Sequence, residues 1–318
     1  MDAAQIAGRI SLRQLRAVIA VAESRSMAKA AEALCVTQPV VSKSIADLED
    51  VLGVRLFDRS PSGVEPTIYG QAFVDRGLAV LNELRSSVSD LRSLAEGAGG
   101  ELRIGSSEAV AAGMLGEIIR RMSSRYPRLS FEIVLGGGGG DLSQLPYHDL
   151  RTRHVDLIIC RLPVRIPDDL AATCLYEESS CIAAGAQNEL VRRERVELQE
   201  LAAHAWCGPP FDKFPWRLTA DSFRAAGLEI PQPLVRVRSI AARNSLLNTG
   251  RFLTVYPQSL IYFAGERLSI CRVPVEVPGA TYSVGVVSIA GRTANPAAKW
   301  FVDVARQVSG EFVTHRVG

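Results

Sequence analysis

Thr37-Gln38-Pro39-Val40-Val41-Ser42-Lys43-Ser44-Ile45-Ala46-Asp47-Leu48-Glu49 reads as one short helix with an apolar face and a reaching face. Thr37 is placed to cap its start, and Pro39 falls in the first turn, where a missing N–H costs nothing. Val41, Ile45 and Leu48 recur at helical spacing and turn inward, which leaves Gln38, Ser42 and Lys43 on the outer side near the N-terminal end. Such groups read a DNA groove. A glutamine grips adenine through N6 and N7, worth about 1–3 kcal/mol of base discrimination, while Ser and Lys bond to bases or phosphates.

A helix this short needs a platform. Leu12, Leu15, Ile19 and Ala22 form one apolar stripe upstream; Ser26 is positioned to cap a second helix, with Ala30, Ala31 and Leu34 on its buried side. The turn Cys35-Val36-Thr37 then delivers the third helix. Two helices joined by so tight a turn, the second polar at its N-terminal end, make a helix-turn-helix. An ordinary three-helix core with no DNA role is the bland alternative.

Ser26-Met27-Ala28-Lys29-Ala30-Ala31-Glu32-Ala33-Leu34, the segment Thr37 to Ile45, Leu48-Glu49, and Leu52-Gly53-Val54-Arg55-Leu56-Phe57-Asp58-Arg59 together resemble the N-terminal signature of LysR-type transcriptional regulators. The resemblance implies that Gln38, Pro39, Ser42 and Lys43 contact the operator, and Arg59, which closes the signature, is carried as a further DNA contact. Two departures stand out. Met27 replaces the usual Phe, and the wing Ser60-Pro61-Ser62-Gly63-Val64-Glu65-Pro66 lacks the basic residues common there.

With 318 residues, 47% hydrophobic and 22% charged, the composition is that of a soluble protein of two or three domains. No run approaches the roughly eighteen apolar residues of a membrane span, and the first ten residues lack a signal peptide's apolar centre. A cytoplasmic protein with no membrane partner is expected. The net charge of +2 does not by itself point to nucleic acid. Within residues 1 to 69, Arg9, Arg13, Arg16, Arg25, Lys29, Lys43, Arg55 and Arg59 are balanced by Asp2, Glu23, Glu32, Asp47, Glu49, Asp50, Asp58 and Glu65. Geometry carries the argument instead: the acids at 47, 49 and 50 lie at the far end of the reading helix. Cys35, Cys160, Cys174, Cys181, Cys207 and Cys271 show no Cys-x-x-Cys and no zinc spacing with the four histidines, so neither metal nor cofactor is expected. Some LysR-type proteins sense oxidants through a cysteine pair, and Cys174, Cys181 and Cys207 are the candidates to meet in the second half.

The winged helix-turn-helix is expected over 1–66. From Thr67, a long helix is expected over 67–97, with Val74, Gly77, Leu81, Leu84, Val88, Leu91 and Ala95 at alternating steps of three and four. That is the heptad seam of a coiled coil, roughly 40 Å long, and it predicts a dimer held by Val74, Leu81, Leu84, Val88 and Leu91. A helix lying on its own domain is the alternative. Beyond Gly97-Ala98-Gly99-Gly100, residues 101–318 alternate strand and helix as in a parallel α/β sheet: strands at 102–105, 130–135 and 155–160, a helix at 110–126, and further strands near 180–184, 205–207, 235–238, 252–256 and 282–289. The expected class is an N-terminal all-α winged helix-turn-helix, a long coiled-coil linker helix and a C-terminal two-lobed α/β effector domain. The resemblance implies that this domain is like type 2 periplasmic binding proteins, with lobe I at about 101–172 and 275–318 and lobe II at about 173–274.

In open α/β sheets, ligands bind beyond the carboxyl ends of strands, where helix N-termini present free N–H groups. Ser106 and Ser107 follow the first strand and Ser239 precedes a helix, so they are candidates to converge on an anion from opposite lobes; ordinary helix capping is the rival explanation. The Ser or Thr usual in the family four residues beyond the strand's glycine is Ala109 here. Arg161 follows the third strand, suited to a bidentate grip on a carboxylate or to an interlobe salt bridge. The resemblance adds Pro209, Phe211 and Thr254 as pocket-lining residues. Gly136 to Gly140 lacks the Lys-Ser or Lys-Thr of a P-loop, and Asp141 with Gln144 reads as a capping box, so a flexible lip is expected.

The expectation is a homodimeric or homotetrameric transcription regulator that binds a double-stranded operator, is controlled by a carboxylated small-molecule effector, and has RNA polymerase as a further candidate partner. It is not expected to be an enzyme: no Ser/His/Asp or metal constellation is present. A thiol-based redox sensor is one alternative, and a small-molecule-binding protein or enzyme without DNA binding is another.

Overall fold

The computed structural model describes residues 3–60, 63–96, 100–136, 147–209, 216–277, 281–291 and 296–317. Its contacts group into two units, Met1–Arg92 with Arg151–His154, and Ser93–Leu150 with Val155–Gly318.

The first unit runs α1 (Ala3–Ala7), α2 (Leu12–Ser24), α3 (Met27–Ala33), α4 (Gln38–Leu52), β1 (Phe57–Ser60), β2 (Gly63–Pro66) and α5 (Ile68–Glu96). Ser11 and Gln14 close a capping box at the start of α2, and Ser26 caps α3 through the Lys29 N–H. Thr37 is the N-cap residue of α4, but its side chain makes no capping hydrogen bond, contrary to expectation. Gly53, at φ +69°, ends α4 in the left-handed conformation that glycine adopts at least cost. The core joins Leu15, Val18, Ile19 and Val21 of α2, Ala30 and Ala31 of α3, and Val41, Ile45 and Leu48 of α4. Leu12 departs from the expected stripe and is 46% exposed. The wing strands β1 and β2 pair antiparallel, Phe57 opposite Pro66 and Arg59 opposite Val64.

The second unit begins with β3 (Glu101–Ser106), α6 (Glu108–Ala112), α7 (Met114–Arg125), β4 (Ser130–Leu135), α8 (Tyr147–Arg151), β5 (Leu157–Arg161) and β6 (Leu170–Glu178). It continues through β7 (Ser180–Gly185), α9 (Leu198–Leu201), β8 (Ala205–Gly208), α10 (Trp216–Ala225), β9 (Pro233–Arg236), α11 (Ile240–Leu247), β10 (Phe252–Pro257), α12 (Gln258–Leu268) and β11 (Ile270–Arg272). It closes with β12 (Tyr282–Ile289) and α13 (Pro296–Val317). Two five-stranded sheets result, ordered β4-β3-β5-β12-β6 and β11-β7-β10-β8-β9, so this unit has two lobes and the chain crosses between them twice.

Both sheets are mixed rather than parallel. In the first, β3 runs parallel to β4 and β5, while β12, entering after the second lobe, is antiparallel to β5 and β6. Strand β6 crosses the lobe boundary expected near residue 172: it stays paired with β12 as far as Glu178, and the crossing falls at Ser179. The helix expected over 110–126 is broken at Gly113, which lies against Leu260; a Cβ there would sit 3.2 Å from Leu260 Cα. One face of the first sheet packs Met114, Leu115, Ile118 and Met122 of α7 with Phe301, Val304 and Phe312 of α13. The second sheet carries Trp206, Trp216 and Phe223 on one face and Tyr256, Leu260 and Leu247 on the other.

Candidate nucleic-acid interface and effector site

Helical periodicity separates the two faces of α4. Val41, Ile45 and Leu48 are between 0 and 1% exposed, whereas Gln38, Pro39 and Lys43 are exposed and Ser42 is half-buried beside them. The reaching side chains therefore cluster at the N-terminal end, where the helix dipole is positive and favours phosphate. Asp47 and Asp50 point outward further along. Glu49 is tied down instead: its Oε1 accepts the backbone N–H groups of Leu56 at 2.6 Å and Phe57 at 3.2 Å, joining the base of the wing to α4. Arg59 is exposed on β1, and Arg25 pairs loosely with Glu65 on β2 at 3.6 Å. The wing tip, Pro61 and Ser62, lies outside the described residues. Beside α4 a groove of about 340 Å³ opens, floored by Ala17, Leu34 and Val41 and rimmed by Leu12, Arg13, Arg16, Val40 and Ser44.

In the two-lobed unit, Ser106 ends β3 with its hydroxyl buried and donating to the Ser107 carbonyl at 3.2 Å, and Ser107 caps α6. Ser239 caps α11 from the other lobe. These serines are brought near one another, but the seat between them is filled by a residue that sequence reasoning missed. The Glu108 Oε1 accepts the Ile240 N–H at 2.8 Å and lies 3.4 Å from Ser239 Oγ. Thr254 is buried and donates to the Cys207 carbonyl at 2.7 Å, joining β10 to β8. Its hydroxyl proton is thus committed within the lobe. Pro209 is buried after β8, where Gly208, at φ +155°, leaves room for Trp216; a Cβ would fall 2.0 Å from the indole. Phe211 lies outside the described residues, as do 137–146 of the expected lip. Arg161 stands with its guanidinium 5.7 Å from the centre of the Tyr282 ring.

A second missed residue is Arg243, one turn into α11 and only 8% exposed. Its Nη1 and Nη2 donate to the Val255 and Arg238 carbonyls at 3.4 Å, and its Cζ lies 4.6 Å from the Tyr256 ring centre. Nε has no hydrogen-bond partner among the described residues. Burial lowers the Arg243 pKa from its ordinary value, opposed by the field of neighbouring groups that include Glu108. Conversely, burial pushes the Tyr256 hydroxyl upward, so it stays neutral, donating to Asn244 Oδ1 at 2.7 Å.

Two family descriptions match the chain: "Bacterial regulatory helix-turn-helix protein, lysR family" over residues 12–71 and "LysR substrate binding domain" over residues 95–310. The chain belongs to the LysR family. It is a DNA-binding transcriptional regulator with an effector-binding domain. Among curated relatives, the HTH-type transcriptional regulator GbpR of Azospirillum brasilense is 26% identical over 307 residues, 95% of this chain and 87% of that protein. An SDS degradation transcriptional activation protein of a Pseudomonas species is 29% identical over 299 residues, covering 91% and 93%. Among solved structures, full-length CbnR in complex with its target DNA matches with a TM-score of 0.68 at 22% identity, covering 94% of this chain and all of that one. This last similarity supports the fold.

The expected dimer seam of this LysR-type regulator divides in two. Val74 is 6% exposed within its own chain's core and Leu81 packs against that core, because α2 covers the first half of α5, with Gly77 against Leu15. Val74 is therefore a core residue and not a seam residue. Leu84 and Val88 are 43% and 45% exposed, in line with exposed Val80, while the Leu91 side chain lies outside the described residues. Nor does the structure bring the three candidate redox cysteines of the regulator together. Cys181 on β7 and Cys207 on β8 are separated by β10, roughly 10 Å at ordinary strand spacing and beyond disulfide reach. Burial pushes the Cys181 thiol up to about 12 and Cys207 to about 11. Cys174 is exposed on β6 in the other sheet. Among the described residues no group of three His, Cys, Asp or Glu side chains is arranged to hold a metal ion, and no helix is long and apolar enough to cross a membrane.

Proposed function

We propose that the regulator reads a two-fold operator as a cytoplasmic homodimer, or a tetramer built from such dimers, and that a carboxylated metabolite bound between the lobes of its effector domain controls it. Gln38 and Lys43, with Pro39 and Ser42 beside them, contact base edges and phosphates from the N-terminal end of α4; Arg59 adds a phosphate contact from the wing. Leu84 and Val88 meet their counterparts on a second α5. One observation carries the choice of effector: the N-terminus of α11 already accommodates a carboxylate, that of Glu108. Ser107, Ser239 and Arg243 surround this seat from both lobes, with Arg161, Pro209 and Thr254 as further lining. A metabolite shifts the lobes only by its differential affinity for their two arrangements.

The test of DNA reading is titration of the chain against its own upstream region by fluorescence anisotropy. Gln38→Ala is expected to weaken operator binding by roughly five- to a hundredfold and to relax preference at one base pair, with non-specific affinity little changed. Unchanged affinity and footprint would remove Gln38 from the interface. A panel of carboxylic acids and their neutral amides, tested for their effect on operator binding, checks the effector class: a response to amides alone defeats it.

A further inference from the structure

Glu108 opens α6 in the first lobe, yet it acts on the second. The first turn of α11 has backbone N–H groups with no intrahelical acceptor, and Glu108 Oε1 satisfies that of Ile240 at 2.8 Å while lying 3.4 Å from Ser239 Oγ. A carboxylate at a helix N-terminus is favoured by both hydrogen bonding and the dipole. Arg243 on the same helix supplies a buried positive charge, and its Nε has no hydrogen-bond partner among the described residues. Two contacts keep α6 seated on this lobe: Arg267 Nη2 donates to the Ala112 carbonyl at 2.9 Å, and Gly113 closes against Leu260. The seat is thus built for an anion, and the chain fills it with its own.

We propose that Glu108 is an internal competitor for the effector's acidic group: it holds the lobes in the effector-free arrangement, and an acid binds by taking its place at Ile240 and Ser239. This rests on the reading of the effector as a carboxylate. It makes Glu108 a specificity-determining residue, since an acid gains only the difference between its own contacts and those it displaces. Weak acids without further contacts to either lobe leave the clasp closed.

The test uses the full chain, with acetate as a minimal carboxylate and hydrogen exchange at the Ile240 amide as the readout. Glu108→Ala is expected to speed that exchange about tenfold, the loss of one charge-assisted hydrogen bond. Acetate is then expected to restore protection in the variant at a concentration at least tenfold below that which affects the parent chain. Glu108→Gln keeps the side chain's shape and one acceptor for the Ile240 N–H, and is expected to show a smaller acceleration and an acetate response between those of the parent chain and Glu108→Ala, which separates the effect from misfolding. Exchange at Ile240 that is unchanged in Glu108→Ala, or acetate without effect on that variant, overturns the proposal. If acetate protects but the chain's inducer proves neutral, the seat stands and the acid-effector reading falls. If the inducer is an acid but acetate never reaches Ile240, the reading stands and the role of Glu108 falls.

Discussion

Glu49 accepts the Leu56 N–H at 2.6 Å across the end of the reading helix, so one carboxylate fixes where the wing begins relative to α4. The same oxygen takes the Phe57 N–H at 3.2 Å, and Leu56 and Phe57 are 1% and 3% exposed, so water does not substitute easily for the lost acceptor.

Glu49→Ala is therefore expected to leave two buried N–H groups unsatisfied and to cost about 2 kcal/mol of stability in the DNA-binding unit. Operator affinity falls as well, because Arg59 and the wing lose their fixed position relative to Gln38. Chemical denaturation followed by anisotropy on the operator checks both effects. Wild-type stability in the variant would mean that the contact contributes nothing net.

How far the sequence could be read depended on where each residue finds its partner. The inward face of α4 was legible because Val41, Ile45 and Leu48 follow a period of 3.6, and burial of that face is a local consequence of the period. Glu49 was not: its partners are backbone groups seven and eight residues away, at the entry to β1, and side-chain spacing does not encode them. Glu108 was missed for the same reason in stronger form, since Ile240 N–H belongs to the other lobe. Strands β3, β4, β5 and β12 stood out through apolar runs, whereas β6, with Ala171, Ala172, Cys174 and Glu177 exposed, is defined by its pairing with β12. The serines were legible as helix caps, and that is what Ser107 and Ser239 are. A capping hydroxyl and a ligand-binding hydroxyl have the same local signature, so only the tertiary neighbour Glu108 distinguishes them.

The two halves of α5 lead to opposite expectations for residues in one heptad pattern. Val74→Ala removes buried apolar volume from the chain's own core and is expected to cost about 2 kcal/mol without changing the oligomeric state. Leu84→Glu combined with Val88→Glu places charge on the exposed stripe and is expected to dissociate the oligomer while leaving the far-ultraviolet spectrum unchanged. Sedimentation velocity at micromolar concentration reads the difference. An oligomer that survives the double glutamate variant puts the subunit contact elsewhere.

Acid provides a test of the first lobe. Glu117 on α7 accepts from Arg120 through both carboxylate oxygens and from Arg121 Nε, each at 2.7 Å, and Arg121 reaches on to Glu311 of α13 at 2.6 and 2.7 Å. The hydrogen bonds from Arg120, joined by the one from Arg121, outweigh partial burial and hold the Glu117 carboxyl at about 2 against an ordinary 4.5. A depressed folded-state pKa means that the unfolded chain binds the proton first. The stabilisation is therefore complete above pH 4.5 and is lost as pH falls toward 2. Because Glu117 is a quarter exposed, the contribution is discounted for solvent screening to about 1 kcal/mol. Glu117→Gln is expected to lower the thermal midpoint at pH 7, with the gap from the parent chain closing between pH 4.5 and 2. A gap that stays constant across that window would mean that Glu117 contributes through packing rather than charge.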